Sequence, residues 1–356
     1  MDLLLHLATV GLTWYLTFTG SLALLFGAPI THTHLLAAQP AAEEFSLTHI
    51  PTTQNEVIPD ILIRNSRYQD AAVIDSIDPE TAPAQALDAL VNIYCTITTD
   101  TYTKTTTGTG FLIDTDGVVL TNAHVAQFLL LKGILGDAHC TIRTGNPAVA
   151  SYQAELLYIS PAWILENAKL INDVTPKGTG ERDYALLYIT GAVDGKPMPA
   201  RFPALPFDVS PLGERALHEH VLATGYPAEA MLQEGVNAPL SPKQATTTID
   251  ELMTFGSDTV DLVTIGGTQI GEHGSSGGPI VDDAGKAIGI ISTRGEDAQF
   301  GTGSLRAITI PYIDRTIKEE TGFTLQQNLG GNLPYRAEVF KETIVPLLQT
   351  ALKQQL

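Results

Sequence analysis

Three short stretches of this sequence place residues capable of nucleophilic chemistry beside strand and turn signals. The first is TNAHV at 121–125, which follows the apolar runs 110–113 and 118–120. A strand that ends in small residues and then presents His124 holds an imidazole at a barrel rim. The second is DYALLYI at 183–189, in which Asp183 opens an apolar strand and can sit half-buried against an imidazole. The third is GEHGSSGGPI at 271–280. Gly274, two before Ser276, allows a tight turn whose successive N–H groups point at one spot. Gly277 and Gly278 read as positions kept clear for an approaching chain. A plain Gly/Ser loop predicts no apolar strand on its heels, yet 279–281 follows at once.

Taken singly, a histidine after a strand or an aspartate at a strand start is more often structural. Taken together they suit one reaction. A serine hydroxyl is a poor nucleophile until a base lies within hydrogen-bond reach, and the base needs a third group to fix its tautomer. The implied roles are Ser276 as nucleophile, His124 as general base and then acid, and Asp183 as its orienting carboxylate. Ser275 is the competing nucleophile, but the Gly-x-Ser-Gly-Gly register selects Ser276. Asp173 is the rival carboxylate, in a more loop-like setting.

The elements that must carry these residues are short strands. Runs at 90–98, 110–113, 118–120, 185–189, 221–224, 262–265, 279–281, 287–292 and 307–310 are rich in Val, Ile, Leu, Tyr and Thr and are separated by turn residues. No βαβ rhythm interrupts them, so an all-β sandwich or barrel is expected. The Thr-rich stretch 101–109 has strand propensity but reads as an exposed hairpin tip. Residues 312–320 and 336–352 look helical, with Phe340, Ile344, Leu347 and Ala351 on one face and Pro346 dividing the second run. His218 and His220 would share a face if both lay on a strand. With no third ligand nearby they read as linker residues, and no metal or cofactor is expected.

Composition bounds the rest. The 356 residues carry 44% apolar and 17% charged side chains, which describes a globular chain. Twenty basic against 39 acidic residues leave a net charge of −19 and no basic stripe, which argues against a nucleic-acid partner. Residues 3–30 contain no Asp, Glu, Lys or Arg and are long enough to span a bilayer. They read as an uncleaved anchor in preference to a cleaved signal, because a basic n-region is missing and the apolar run is long. Residues 31–84 read as a linker, 85–320 as the folded domain, with halves meeting near 205, and 321–356 as a helical tail.

The motifs TNAHV, DYALL and GSSGGP, with Gly225-Tyr-Pro227 and IGIIS at 288–292, resemble those of the chymotrypsin-like (trypsin-fold) serine peptidases. The likeness is to the bacterial-type branch that includes the HtrA proteases, over roughly 85–320. The order His, Asp, Ser is that of this fold and differs from the subtilisin and α/β-hydrolase orders. The resemblance implies two six-stranded antiparallel β-barrels and a serine endopeptidase acting on protein or peptide substrates. It places the oxyanion hole at the backbone N–H groups of Gly274 and Ser276, and the S1 base at Ile270 with Ser292, Thr293 and Arg294 as its wall. An apolar base disfavours Lys or Arg and suits a small or aliphatic P1 residue. Cys95 and Cys140 would fall on the first and fourth strands, neighbours at the barrel closure in this fold. That implies a disulfide in an extracytoplasmic domain, against two buried free thiols.

The chain also departs from its look-alikes. Trypsins activated by cleavage carry an acidic residue just before the nucleophile, where this chain has Ser275. The oxyanion loop must therefore be held in some other way. Thirty-six residues follow Glu320, too few for a PDZ domain. The alternatives are a protease-like binding module that has lost its chemistry and a membrane-tethered holdase using the C-terminal helices.

Overall fold

A computed structural model describes residues 81–172, 179–256, 258–266, 270, 273–294 and 304–355. The expected anchor, residues 31–80 of the expected linker and Asp173 lie outside the described residues, while 82–84, also assigned to the linker, belong to the first helix of the folded domain. Among the described residues no helix is long and apolar enough to cross a membrane.

A short helix, α1 (Ala82–Ala89), runs directly into the first barrel. Its strands are β1 (Leu90–Thr98), β2 (Thr103–Asp114), β3 (Val118–Thr121), β4 (Asp137–Thr144), β5 (Val149–Ile159) and β6 (Ala185–Ala192). A one-turn helix, α2 (Ala123–Ala126), follows β3, and α3 (Pro161–Asn167) follows β5. The second barrel holds β7 (His220–Gly225), β8 (Lys243–Met253), β9 (Leu262–Ile265), β10 (Pro279–Val281), β11 (Ala287–Arg294) and β12 (Leu305–Thr309), with α4 (Glu229–Glu234) between β7 and β8. After β12 come α5 (Ile310–Thr321), which closes the folded domain, and the tail helices α6 (Leu325–Asn328), α7 (Leu333–Thr343) and α8 (Val345–Lys353).

Both sheets close on themselves, in the orders β1-β2-β3-β6-β5-β4 and β7-β8-β9-β12-β11-β10. The connectivity is the same, although no sequence repeat announces it. Closure removes the open strand edges that invite wrong pairing. All strand pairs are antiparallel, as the resemblance implied. In the first barrel the seam is β1 against β4, with Cys95 directly opposite Cys140. The two cysteines are joined, so the expected disulfide is present.

Apolar residues of the tail pack onto the first barrel. Ala337, Leu348 and Leu352 are buried in the same cluster as Val91, Leu120, Leu157 and Trp163. Lys341 pairs with Glu155 at 3.0 Å, and Gln349 donates to the carbonyls of Leu130 and Lys132. The predicted division at Pro346 is observed, since α7 ends at Thr343 and α8 begins at Val345.

Three expectations change. The stretch 101–109 is an exposed hairpin tip only at its start, where Thr101 and Tyr102 lie in the turn closed by the Thr99 N–H donating to the Tyr102 carbonyl. The turn lies before β2, and Thr103 to Thr109 pair with β1, becoming fully buried at Thr109. Ile310 opens α5 instead of ending a strand, because Pro at the second helical position and the Thr309 side chain capping Tyr312 N–H start a helix there. His218 precedes β7 in a left-handed conformation, φ 68°, so it shares no strand face with His220.

Candidate active site

β3 delivers Asn122 and His124 to the rim of the first barrel. The first amides of a helix have no intrahelical acceptor, and in α2 this is put to use. The His124 N–H donates to Asp183 Oδ1 at 2.8 Å, while His124 Nδ1 meets Asp183 Oδ2 at 2.7 Å. One carboxylate thus grips both the backbone and the ring of the same histidine. Asn122, at the helix N-cap, donates its side-chain amide to the Asp183 carbonyl at 2.9 Å instead of capping α2.

Asp183 is 3% exposed, and a buried carboxylate is costly unless every oxygen finds donors. The third donor comes from the second barrel: Ser292 Oγ donates to Asp183 Oδ2 at 2.7 Å. Sequence reasoning placed Ser292 in a pocket wall and missed this contact. The residue before Asp183 is also unusual. Arg182 has φ 56°, a region that a non-glycine residue occupies only when its surroundings hold it there. Its N–H donates to Tyr312 OH at 3.0 Å, and its guanidinium pairs with Glu320 at 2.6 Å. Tyr158 and Ser160 donate to the same Glu320 carboxylate, at 2.5 and 2.9 Å. Burial pushes the Tyr158 phenol well above its ordinary range, so it acts as a neutral donor. Helix α5 therefore clamps the backbone that carries Asp183.

The turn that carries Ser276, the expected nucleophile, belongs to the second barrel. Gly274 and Gly277 have φ 96° and 88°, conformations that favour glycine. A Cβ on Gly277 would overlap the Thr109 carbonyl, and one on Gly278 the Thr224 carbonyl. The two glycines after Ser276 therefore make room for the protein's own backbone, which corrects the reading that they clear a path for substrate. Ser276 Oγ donates to the Ser292 carbonyl at 3.3 Å, and no hydrogen bond joins it to His124 in this structure.

Of the predicted pocket residues, Ile270 is fully buried in the second-barrel cluster with Val221, Ile280 and Ile291. Ser292, Thr293 and Arg294 lie on β11, where Thr293 and Arg294 pair in register with Arg306 and Leu305. Ser275 is buried at 1% exposure beside Gly225, and its hydroxyl has no hydrogen-bond partner. Among the described residues no group of three or more His, Cys, Asp or Glu side chains could hold a metal ion.

The family model described as a trypsin-like peptidase domain matches residues 108–290, just over half of the chain. Similar solved structures include the active form of the Rv3671c protease from M. tuberculosis. It has 21% identity and a TM-score of 0.43, covering 80% of this chain and 96% of that one. An inactive form of Rv3671c from M. tuberculosis H37Rv, carrying a serine-to-alanine change, has 20% identity and a TM-score of 0.40. It covers 68% of this chain and 90% of that one. No curated protein sequence matches the chain.

Proposed function

The chain belongs to the trypsin-like peptidases and is a serine peptidase hydrolase, and from that membership we propose that it cleaves peptide bonds through an acyl-enzyme on Ser276. The observation that carries this assignment is the unbroken hydrogen-bonded path Ser292–Asp183–His124 beside the glycine-flanked Ser276. Rotation about the Cα–Cβ bond takes the Ser276 hydroxyl between staggered positions, away from the Ser292 carbonyl and towards the imidazole. His124 then accepts the serine proton as Oγ attacks the scissile carbonyl, and returns it to the leaving amine. Asp183 holds the Nδ1 tautomer and offsets the imidazolium charge. Water, activated by the same imidazole, hydrolyses the ester.

The Gly274 and Ser276 amides are the proposed oxyanion donors. Neither donates to a described acceptor, which keeps both available for a developing negative charge.

For the residue before the cleaved bond we propose a small or aliphatic side chain. Support comes from Ile270, an apolar group at the proposed pocket base. For location we propose a membrane-anchored or secreted enzyme with an extracytoplasmic catalytic domain. The charge-free run 3–30 and the Cys95–Cys140 disulfide both favour an oxidising compartment reached through a membrane.

Cleavage-site profiling on a peptide library, wild type against Ser276→Ala, tests activity and preference together. The expected result is Ser276-dependent cleavage after Ala, Val or Leu. Cleavage concentrated after Lys or Arg would overturn the preference, and cleavage that persists in Ser276→Ala would overturn the nucleophile.

A further inference from the structure

Four consecutive carbonyls of the nucleophile turn are each held by a donor. His273 O accepts from the Ala228 N–H at 2.6 Å, and Ser275 O from the Gly278 N–H at 3.0 Å. Ser276 O accepts from the Thr109 N–H at 2.8 Å, and Gly274 O from Thr109 Oγ1 at 2.6 Å. In a trans peptide the N–H points opposite to the preceding C=O. Fixing His273 O and Ser275 O therefore also fixes where the Gly274 and Ser276 amides point. Fixing Gly274 O sets the peptide plane between them.

Three of these four donors are backbone groups that any residue would supply. The fourth is a side chain, and it belongs to the other barrel. Thr109 Oγ1 also accepts from the Tyr226 N–H at 2.9 Å, which commits its single proton to Gly274. The Thr109 carbonyl in turn receives Thr121 Oγ1 at 2.7 Å. This fully buried threonine thus uses all three of its polar atoms in four hydrogen bonds, and three of those bonds reach across to the second barrel. Meanwhile Ser275, where cleavage-activated trypsins carry an acidic residue, gives the turn no hydrogen bond from its hydroxyl.

We propose that the Thr109 hydroxyl is the positioning group that holds the oxyanion loop in its working conformation, a neutral inter-barrel latch in place of a charged pin. The proposal rests on Ser276 as nucleophile and on the Gly274 and Ser276 amides as oxyanion donors. Docking of the two barrels then sets the loop directly. Loss of the hydroxyl leaves the Gly274 carbonyl and the Tyr226 amide buried without partners, so the loop turns to satisfy them and its amides lose their aim.

The test compares the full chain as wild type, Thr109→Ser, Thr109→Cys and Thr109→Val on one peptide substrate, with active sites titrated by a fluorophosphonate. Thr109→Val should lower kcat roughly 10- to 100-fold with KM within about twofold, the pattern of a group felt in the transition state. Its affinity for a peptide boronate, whose tetrahedral adduct places an oxygen against the oxyanion donors, should weaken by the same factor. Thr109→Ser should stay near wild type, and Thr109→Cys, a weaker donor of similar size, should fall between. A merely structural threonine would lower the melting temperature while leaving kcat per titrated site and boronate affinity unchanged. If Thr109→Val does not fold, the Ser and Cys variants decide: equal kcat and equal boronate affinity in both overturn the latch. If wild type is not labelled at Ser276, the catalytic assignment falls and the latch with it. If wild type is labelled and Thr109→Val or Thr109→Cys turns over within about twofold of it, the latch alone falls.

Discussion

The two barrels share one strand connectivity but close by very different seams. In the first, β1 and β4 pair from Asn92 opposite Arg143 to Thr98 opposite Asp137, and the Cys95–Cys140 disulfide crosses the middle. In the second, β7 meets β10 only at Ala223 opposite Ile280 and Leu222 opposite Val281. The reason is local: β10 has three residues, because the chain just before it is spent on the nucleophile turn. The first barrel is also clad by α7 and α8, whereas the second has a smaller core of its own. A strand that gives up its length to the Ser276 turn loses the ladder that would hold that turn. Here the better-closed barrel supplies the missing support through Thr109, and it also carries His124 and Asp183, the proposed base and its orienting carboxylate.

The largest expected effect comes from separating the two contributions to catalysis. Ser276→Ala removes what the second barrel brings and His124→Ala what the first brings. Each should lower kcat by about 10⁴-fold or more, and the double variant should be no worse than the worse single one, because the groups act as a unit. Losses that multiply in the double variant would show that the barrels contribute independently.

The second prediction breaks the long seam. Replacing Cys95 and Cys140 by serine opens a 45-residue loop. It should cost about 2–4 kcal/mol of stability, seen as a lower denaturant midpoint. An unchanged midpoint would mean that the ladder alone closes the first barrel.

The smallest effect concerns a tie between the barrels. Tyr226 OH donates to the Gly145 carbonyl at 2.9 Å, and burial pushes its phenol up to about 12. Tyr226→Phe should cost about 1 kcal/mol. In the folded protein this phenol keeps its proton above the pH, near 10, at which an unfolded tyrosine loses it. Its contribution is therefore complete below pH 10 and is lost as pH rises from about 10 to about 12. Wild type should show this extra alkaline loss and the phenylalanine variant should not. Identical stability curves above pH 10 would remove Tyr226 from the inter-barrel contact.

Much of this was legible in the sequence, for identifiable reasons. His124, Asp183 and Ser276 are announced by neighbours within five residues, because strand ends and a glycine turn must be built from local residue types. The strands β1, β3, β6, β7, β9, β10 and β11 are apolar runs, most of them buried along their length. β4, β5 and β8 are not legible as strands from residue pattern, and only the family resemblance places a strand at Cys140. β4 and β8 mix exposed and half-buried positions, with Asp, Glu, Gln and Thr among them, and β5 begins the same way, becoming apolar and buried only over its last four residues, 156–159. Thr109 was misjudged for a related reason. It ends a run of threonines whose first members are exposed or half-buried, and nothing in residue type separates it from them.

The sequence alone determined the family of chemistry, because the reacting groups and the turn that presents them are coded by adjacent residues. It also determined that Cys95 and Cys140 could meet, once the family's strand order was assumed. Only the tertiary structure decided what holds the site together. Thr109 and Gly274 are 165 residues apart, Ser292 and Asp183 are 109 apart, and Glu320 reaches Arg182 across 138. A hydroxyl or carboxylate has no role until a partner of the right kind stands within about 3 Å of it. Which partner that is follows from how two closed barrels and a helical tail pack, and no local pattern records it.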